Sequence, residues 1–412
     1  MKRVAMISYH TCPLASQEGK ESGGMNVYVL EIGKALAANG VQVDVFTRSQ
    51  EADNIPVVTV VPGFRVIHVV AGPQSHISKK DVMQYIDDFS SGVHEFYDTE
   101  KTLPDVIHAH YYLSGLIASN LTTLFGKAIP TVMSFHTLAL MKNLVARDES
   151  EKEDVSRITA ELQLCREAHA ILATSQSDKD YLQYLYDADV TKVQVIPPGV
   201  NPLTFHSMDP LESKSRVGVP ANQQMILFVG RIEPLKGIDM LMYAMKIVTK
   251  RNPTIPVTLC IAGGDISQPL PSWSKTLQSL NTIRSVLNLQ ATVSFAGKKT
   301  QEELLYYYNA ATMVVMPSHY ESFGMAALEA MACSVPVITT NAAGISGLID
   351  DEHGKLITSV NNPLLLAEQI EFLLLSPSVR AEVGAKLQKS VSDLSWSTVA
   401  TRIESVYDTI RV

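Results

Sequence analysis

Met225-Ile-Leu-Phe-Val229-Gly230-Arg231-Ile-Glu-Pro234-Leu-Lys236-Gly237 decides the fold of the second half of the chain. Its first five residues are an apolar run, as expected of a strand buried on both faces. Glycine, arginine and lysine follow at once, and helical periodicity resumes over 237–250. Further along, Glu321-Ser-Phe-Gly-Met-Ala-Ala-Leu-Glu329 sets two carboxylates eight residues apart, around a small-residue loop that runs into an apolar helix. Cations beyond a strand, free backbone amides at a helix start and carboxylates for hydroxyls are the parts a nucleotide-sugar site needs.

Outward from that stretch, short apolar runs alternate with amphipathic ones. In the second half, strands are predicted over 225–229, 257–262, 292–295, 313–316 and 335–339, and helices over 237–250, 275–287, 301–310 and 325–333. In the first half, strands are predicted over 4–8, 41–47, 64–70, 105–109, 131–134, 170–174 and 193–196, and helices over 25–38, 80–97, 112–124, 149–168 and 177–186. Such alternation implies parallel sheets in an α/β protein. Periodicity lapses after Ile196-Pro-Pro-Gly-Val-Asn-Pro202, where Pro and Gly cluster. The expected organisation is a Rossmann-like domain over 1–197, a linker over 198–220, a second Rossmann-like domain over 221–393, and a helix over 394–412 that crosses back to the first. In the last segment Val399, Ile403, Val406, Tyr407 and Ile410 recur at helical spacing. Two such domains on a hinge imply a cleft, and ligands of open parallel sheets bind beyond the carboxyl ends of the strands.

The chain has 412 residues, 46% hydrophobic and 18% charged, with a net charge of -8. That balance supplies two cores and argues against nucleic acid as the main partner, since no basic stripe is available to neutralise phosphates. Cys12, Cys165, Cys260 and Cys333 form no Cys-x-x-Cys pair, so zinc and redox spacings are absent. The start of the chain is too short in apolar residues for a signal peptide, and no apolar run reaches membrane-spanning length. A soluble cytoplasmic protein is expected. The residues do not fix the oligomeric state, and a homodimer stays open.

The chemistry falls at strand ends. Ser22-Gly23-Gly24-Met25-Asn26 opens a helix, where amides and the helix dipole favour an anion; a plain turn is the bland alternative. It lacks the Gly-x-Gly-x-x-Gly dinucleotide fingerprint. Arg231 and Lys236 would stabilise a departing diphosphate, whereas an isolated Arg and Lys would be a solvated pair. Glu321 and Glu329 suit vicinal diols. A glycosidase-like acid and nucleophile pair is the rival for them, but a hydrolase needs no cationic diphosphate pocket. His108, His110 and His136 lie at strand ends; zinc binding by His108 and His110 lacks a third ligand, so no metal is expected. Lys79 or Lys80, Lys142 and Arg157 add positive charge that would suit an anionic acceptor. Asp178-Lys-Asp180 and Asp187-Ala-Asp189 match a metal-binding Asp-x-Asp pattern but are read as surface carboxylates.

Taken together, Gly23-Gly-Met-Asn-Val-Tyr-Val-Leu30, His110-Tyr-Tyr-Leu-Ser-Gly115, His136-Thr-Leu-Ala139 with Lys142-Asn143, and Gly230-Arg-Ile-x-Pro-Leu-Lys236 resemble glycosyltransferase family 4, retaining enzymes of GT-B architecture. The likeness covers essentially the whole chain. It includes the inositol-phosphate branch that opens mycothiol synthesis, with sucrose-phosphate and sucrose synthases as more distant relatives that carry Gly-Gly-Gln near Gly24.

The resemblance implies roles. Gly23, Gly24 and Asn26 would lie near the donor diphosphate and the reacting sugar. Arg231 and Lys236 would bind the diphosphate and Glu329 the ribose. Glu321 would hold the sugar hydroxyls, with help from the amides of Phe323 and Gly324. Lys79, Tyr111, Thr137 and Arg157 would grip an acceptor phosphate, and His136 would lie near the anomeric centre. His136, Arg231, Lys236 and Glu321 would then carry catalysis, with a UDP-sugar as co-substrate and no cofactor. The expected reaction is retaining transfer of a glucosyl or N-acetylglucosaminyl group to a phosphorylated acceptor of the inositol-phosphate type. Sucrose-phosphate synthesis from UDP-glucose and fructose 6-phosphate, a UDP-N-acetylglucosamine epimerase-like activity, and a non-catalytic sugar-nucleotide binder are the alternatives.

Overall fold

The computed structural model describes residues 2–15 and 23–410, with the backbone but not the side chain of Lys79. The chain divides into two compact units: residues up to Gly199 together with those from Trp396 on, and Val200–Ser395.

In the first unit the strands are β1 (Arg3–Ile7), β2 (Gln42–Arg48), β3 (Val57–Val61), β4 (Phe64–Val69), β5 (Val106–His110), β6 (Thr131–Ser134), β7 (Ala170–Ala173) and β8 (Val193–Val195). The helices between them are α1 (Gly24–Ala38), α2 (Lys79–Val82), α3 (Ile86–Glu100), α4 (Tyr112–Leu124), α5 (Ala139–Leu144), α6 (Val155–Glu167) and α7 (Gln176–Leu185). Among the described residues the strands form one sheet in the order β3-β4-β2-β1-β5-β6-β7-β8. Val4, Ala5, Met6 and Ile7 of β1 are fully buried, as a central strand covered on both faces must be. The sheet is parallel except at β3, which pairs antiparallel with β4 around Gly63. That edge strand, Val57-Val-Thr-Val-Val61, is half-exposed in spite of its valine run and lies outside the strands expected from the sequence.

The single helix expected over 149–168 is a short turn, Glu149–Glu151, followed by α6. Asp154 breaks it, since its side chain accepts the Ser156 amide at 2.8 Å and starts the helix afresh. The helix expected over 80–97 likewise divides into α2, a turn at Met83–Tyr85, and α3.

The second unit holds α8 (Pro210–Arg216), β9 (Gln224–Val229), α9 (Ile238–Arg251), β10 (Val257–Ala262), α10 (Lys275–Val286), β11 (Val293–Gly297), α11 (Gln301–Ala310), β12 (Met313–Met316), α12 (Met325–Ala332), β13 (Val337–Thr340), β14 (Ile357–Thr358), α13 (Pro363–Leu375) and α14 (Pro377–Ser390). Its strands run β11-β10-β9-β12-β13-β14, and every pairing is parallel. Residues 198–220, read as a linker, join this unit from Val200 onward. Phe205 is buried in its core. Asn309 accepts the Met208 amide at 2.7 Å and donates to the His206 carbonyl at 3.0 Å. The last helix, α15 (Trp396–Ile410), belongs to the first unit and packs along α1. Asn39 donates to Glu404 at 2.6 Å, and Arg402 donates to the Val195 carbonyl at 2.7 Å. No helix among the described residues is long and apolar enough to cross a membrane.

Candidate active site

Each sheet has a point inside it where its strand order reverses. In the second unit the reversal lies between β9 and β12, and a crevice opens beyond the carboxyl ends of the strands at such a point. The loops that follow these two strands carry Arg231 and Lys236, and Glu321 to Gly324. They are locked together by glycine. Gly237 has φ +63°, and a Cβ there would sit 2.1 Å from the Pro317 carbonyl oxygen. The His319 amide donates to the Leu235 carbonyl at 2.8 Å. With the loops held this close, the buried Lys236 ammonium forms an ion pair with the Glu321 carboxylate. Arg231 is more exposed and pairs with Glu233 at 2.6 Å. The Gly344 amide fixes the Glu321 carbonyl at 3.0 Å, and the Ile345 amide fixes that of Phe323 at 2.8 Å. Gly324, at φ +111°, begins α12, whose first amides have no earlier turn to bond.

Glu329 lies on α12 and is 8% exposed. Its partner is the Tyr308 hydroxyl, which donates to it at 2.6 Å from α11. Burial pushes the Glu329 carboxyl up to about 7, against the pull of that hydrogen bond. Tyr308 escaped the sequence reading because its spacing on α11 matches an ordinary core position.

In the first unit the order reverses between β1 and β5. The loop after β1 leads to Gly23 and Gly24; its Ser22 lies outside the described residues. Asn26 is buried and fully used: it donates to the Thr11 hydroxyl and the Cys12 carbonyl, both at 2.7 Å, and accepts the Gly23 amide at 3.2 Å. The Asn26 side chain therefore shapes the loop, while Gly24 stands exposed at the first turn of α1.

Tyr111, Thr137 and Arg157 come together. Tyr111, directly after β5, takes φ +76°, and its amide donates to the Ser134 carbonyl at 2.8 Å. The Arg157 guanidinium lies over its ring, 4.7 Å from the centroid. Arg157 is 2% exposed and donates to the Thr137 carbonyl at 2.9 Å and hydroxyl at 3.1 Å. It also pairs with Glu161 at 2.7 Å, and its Nη1 lies 2.9 Å from Glu153 without hydrogen-bond alignment. Lys142 pairs with the same Glu153. Although burial opposes it, Arg157 and Lys142 hold the Glu153 carboxyl below its ordinary range. Lys79 starts α2 behind the Ser78 cap; its side chain lies outside the description.

His136 follows β6 at φ +62°, and its Nε2 is 3.0 Å from His110 Nδ1. Left-handed backbone at two non-glycine residues, Tyr111 and His136, is the kind of strain that clusters at working sites. His108 is occupied at both nitrogens, by Tyr407 at 2.7 Å and Ser134 at 2.9 Å. Burial pushes His136 down to about 4 and His108 to about 3, and His110 well below its ordinary value. No group of three or more His, Cys, Asp or Glu among the described residues is arranged to hold a metal. Asp178, read as a surface carboxylate, is buried in the first turn of α7, where the Thr174 hydroxyl donates to it at 2.7 Å. The dipole of a helix start accounts for an acid there.

A glycosyltransferase family 4 model matches residues 22–202, and a model of glycosyl transferases group 1 matches 211–390. A D-inositol 3-phosphate glycosyltransferase of Corynebacterium efficiens is 34% identical over 408 residues, covering 98% of this chain and 95% of that protein. One of Kineococcus radiotolerans is 35% identical over 421 residues, covering 99% and 95%. Among solved structures, a sucrose-phosphate synthase from Thermosynechococcus elongatus matches with a TM-score of 0.89 and 28% identity, covering 100% of this chain and 99% of that one. The chain belongs to glycosyltransferase family 4 and is an enzyme of the GT-B fold group. Membership in a transferase family favours group transfer over the epimerase-like and non-catalytic readings.

Proposed function

We propose that the chain transfers a hexosyl group from a UDP-sugar, with retention of anomeric configuration, to a hydroxyl of an inositol-phosphate-type acceptor. The observation that carries this reading is the whole-length identity, near one third, to proteins named D-inositol 3-phosphate glycosyltransferase. The residues support it. An arriving diphosphate takes over the Lys236 ammonium from Glu321, and the released carboxylate accepts hydrogen bonds from the sugar hydroxyls, beside the amides of Phe323 and Gly324. Arg231 joins Lys236 as negative charge grows on the leaving group, so both act more on the transition state than on the ground state. Glu329 holds the ribose, and Gly23 and Gly24 offer amides to the diphosphate. Tyr111, Thr137 and Arg157, with Lys79, hold the acceptor phosphate. The leaving diphosphate itself takes the acceptor proton in a front-face substitution.

Sucrose-phosphate synthesis is the second reading, favoured by the near-complete structural likeness to the Thermosynechococcus enzyme. UDP release separates the two. UDP-glucose and UDP-N-acetylglucosamine are crossed with inositol 1-phosphate, fructose 6-phosphate and their unphosphorylated forms. Turnover confined to inositol phosphate supports the first reading, and turnover with fructose 6-phosphate overturns it in favour of the second.

Removing Arg157 outright would strand the fully buried Glu161, so the acceptor assignment is better tested with Arg157→Lys, which keeps the charge and loses the planar fork. The acceptor KM is expected to rise roughly tenfold, the worth of one charge-assisted hydrogen bond, with the donor KM unchanged. Equal changes in both would remove Arg157 from the acceptor site.

A further inference from the structure

The histidine cluster formed by the end of β5 and the loop after β6 has an asymmetry that the reading above leaves unused. His110 is fully buried, its Nδ1 meets His136 Nε2 at 3.0 Å, and its Nε2 has no hydrogen-bond partner. Its neighbour His108 is satisfied at both ring nitrogens, so His108 has nothing to lend.

We propose that His110 is a positioning residue that fixes the tautomer of His136, so that His136 carries its proton on Nδ1 and presents that N–H to the sugar. This rests on the reading of His136 as the group beside the reacting carbon. A neutral imidazole has one N–H and one lone pair. If the His110 proton sat on Nε2, a buried N–H would be stranded, and among buried backbone groups an orphaned N–H is rarer than an under-satisfied acceptor, a preference we extend to the ring. With the proton on Nδ1, only a lone pair goes unmet, and the N–H donates to His136 Nε2. His136 must then hold its own proton on Nδ1. Burial keeps the three rings neutral near pH 7, which removes the doubly protonated state from the choice. Position is fixed by the same contact. The His110 and His136 rings stack with centroids 5.3 Å apart, and Tyr28 closes on the His136 ring edge-on at 5.2 Å. These packings hold a ring whose backbone is in the left-handed region. A sugar hydroxyl or ring oxygen facing Nδ1 meets a donor in this tautomer and a lone pair in the other.

The test has one readout apart from turnover. Nitrogen-15 NMR of histidine-labelled protein, with the His136 signal assigned by its loss in His136→Gln, reports which ring nitrogen is protonated. The Nδ1–H tautomer is expected for His136, and an Nε2–H tautomer overturns the proposal. Kinetics with the active donor and acceptor pair give the second readout. His110→Ala is expected to lower kcat by about tenfold to a hundredfold with both KM values nearly unchanged, as misplacement of a reacting group does. His110→Asn, whose amide can donate from the Nδ1 position, is expected to recover most of the loss. A wild-type kcat in a folded His110→Ala protein overturns the proposal, as does equal loss in the Ala and Asn variants when both keep the wild-type unfolding midpoint. His136→Ala distinguishes the underlying reading: full turnover in that variant removes His136 from the site, whatever its tautomer.

Discussion

Gly237 shows how one missing methyl group lets two strand-end loops meet. Its left-handed backbone and its approach to Pro317 bring the strand-end loop carrying Lys236 against the one carrying Glu321. Gly237→Ala is expected to cost about 1–3 kcal/mol in backbone strain alone and to weaken UDP binding in parallel. Chemical denaturation and isothermal calorimetry would check it, and an unchanged midpoint would show that the loops are not locked there. Glu329 gives a pH dependence of definite sign. Its carboxyl titrates near 7 in the folded chain against an ordinary value of 4.5, so the native state holds the extra proton in between. Stability from this group is intact below about pH 4.5, falls as pH rises through that window, and stays low above about 7. Glu329→Gln is expected to remove this fall and to be more stable than wild type at pH 8, on the order of 2–3 kcal/mol. Parallel stability curves for the two proteins from pH 5 to 8 would refute the burial argument. In sequence, Glu329 was visible as a carboxylate, but its Tyr308 partner was not.

At the scale of elements, local caps hold the helix starts. Thr300 accepts the Glu303 amide at 3.2 Å, and Glu303 accepts the Thr300 amide at 2.8 Å, a reciprocal cap written in four residues of sequence. Thr300→Ala should lower stability by about 1 kcal/mol and leave the KM values alone, because the cap lies at the other end of α11 from Tyr308. A changed donor KM would mean that α11 transmits the loss to Glu329. Strand 131–134, strand 257–262, strand 313–316 and helix 112–124 match their predicted bounds. The antiparallel edge strand β3, the two-residue β14 and the helices α13 and α14 went unread. A two-residue strand is too short for any period to register.

For the whole molecule, α15 is the element whose place depends most on distant chain. It belongs with the first unit although it follows the second, and its Tyr407 hydroxyl meets His108, 299 residues away in sequence, at 2.7 Å. Tyr407→Phe leaves a buried imidazole nitrogen unmet and is expected to cost about 1–3 kcal/mol. The loss should fall on the first unit, and hydrogen exchange that slackened only in the second would contradict it. The sequence alone determined the alternation of strands and helices and the α/β class, because hydrophobic period and strand-end glycines are local properties. Only the tertiary structure decided who meets whom: Lys236 with Glu321, Glu329 with Tyr308, Arg157 with Thr137, His110 with His136. Those pairings depend on strand order and on how closely separate loops approach, and no local pattern encodes either.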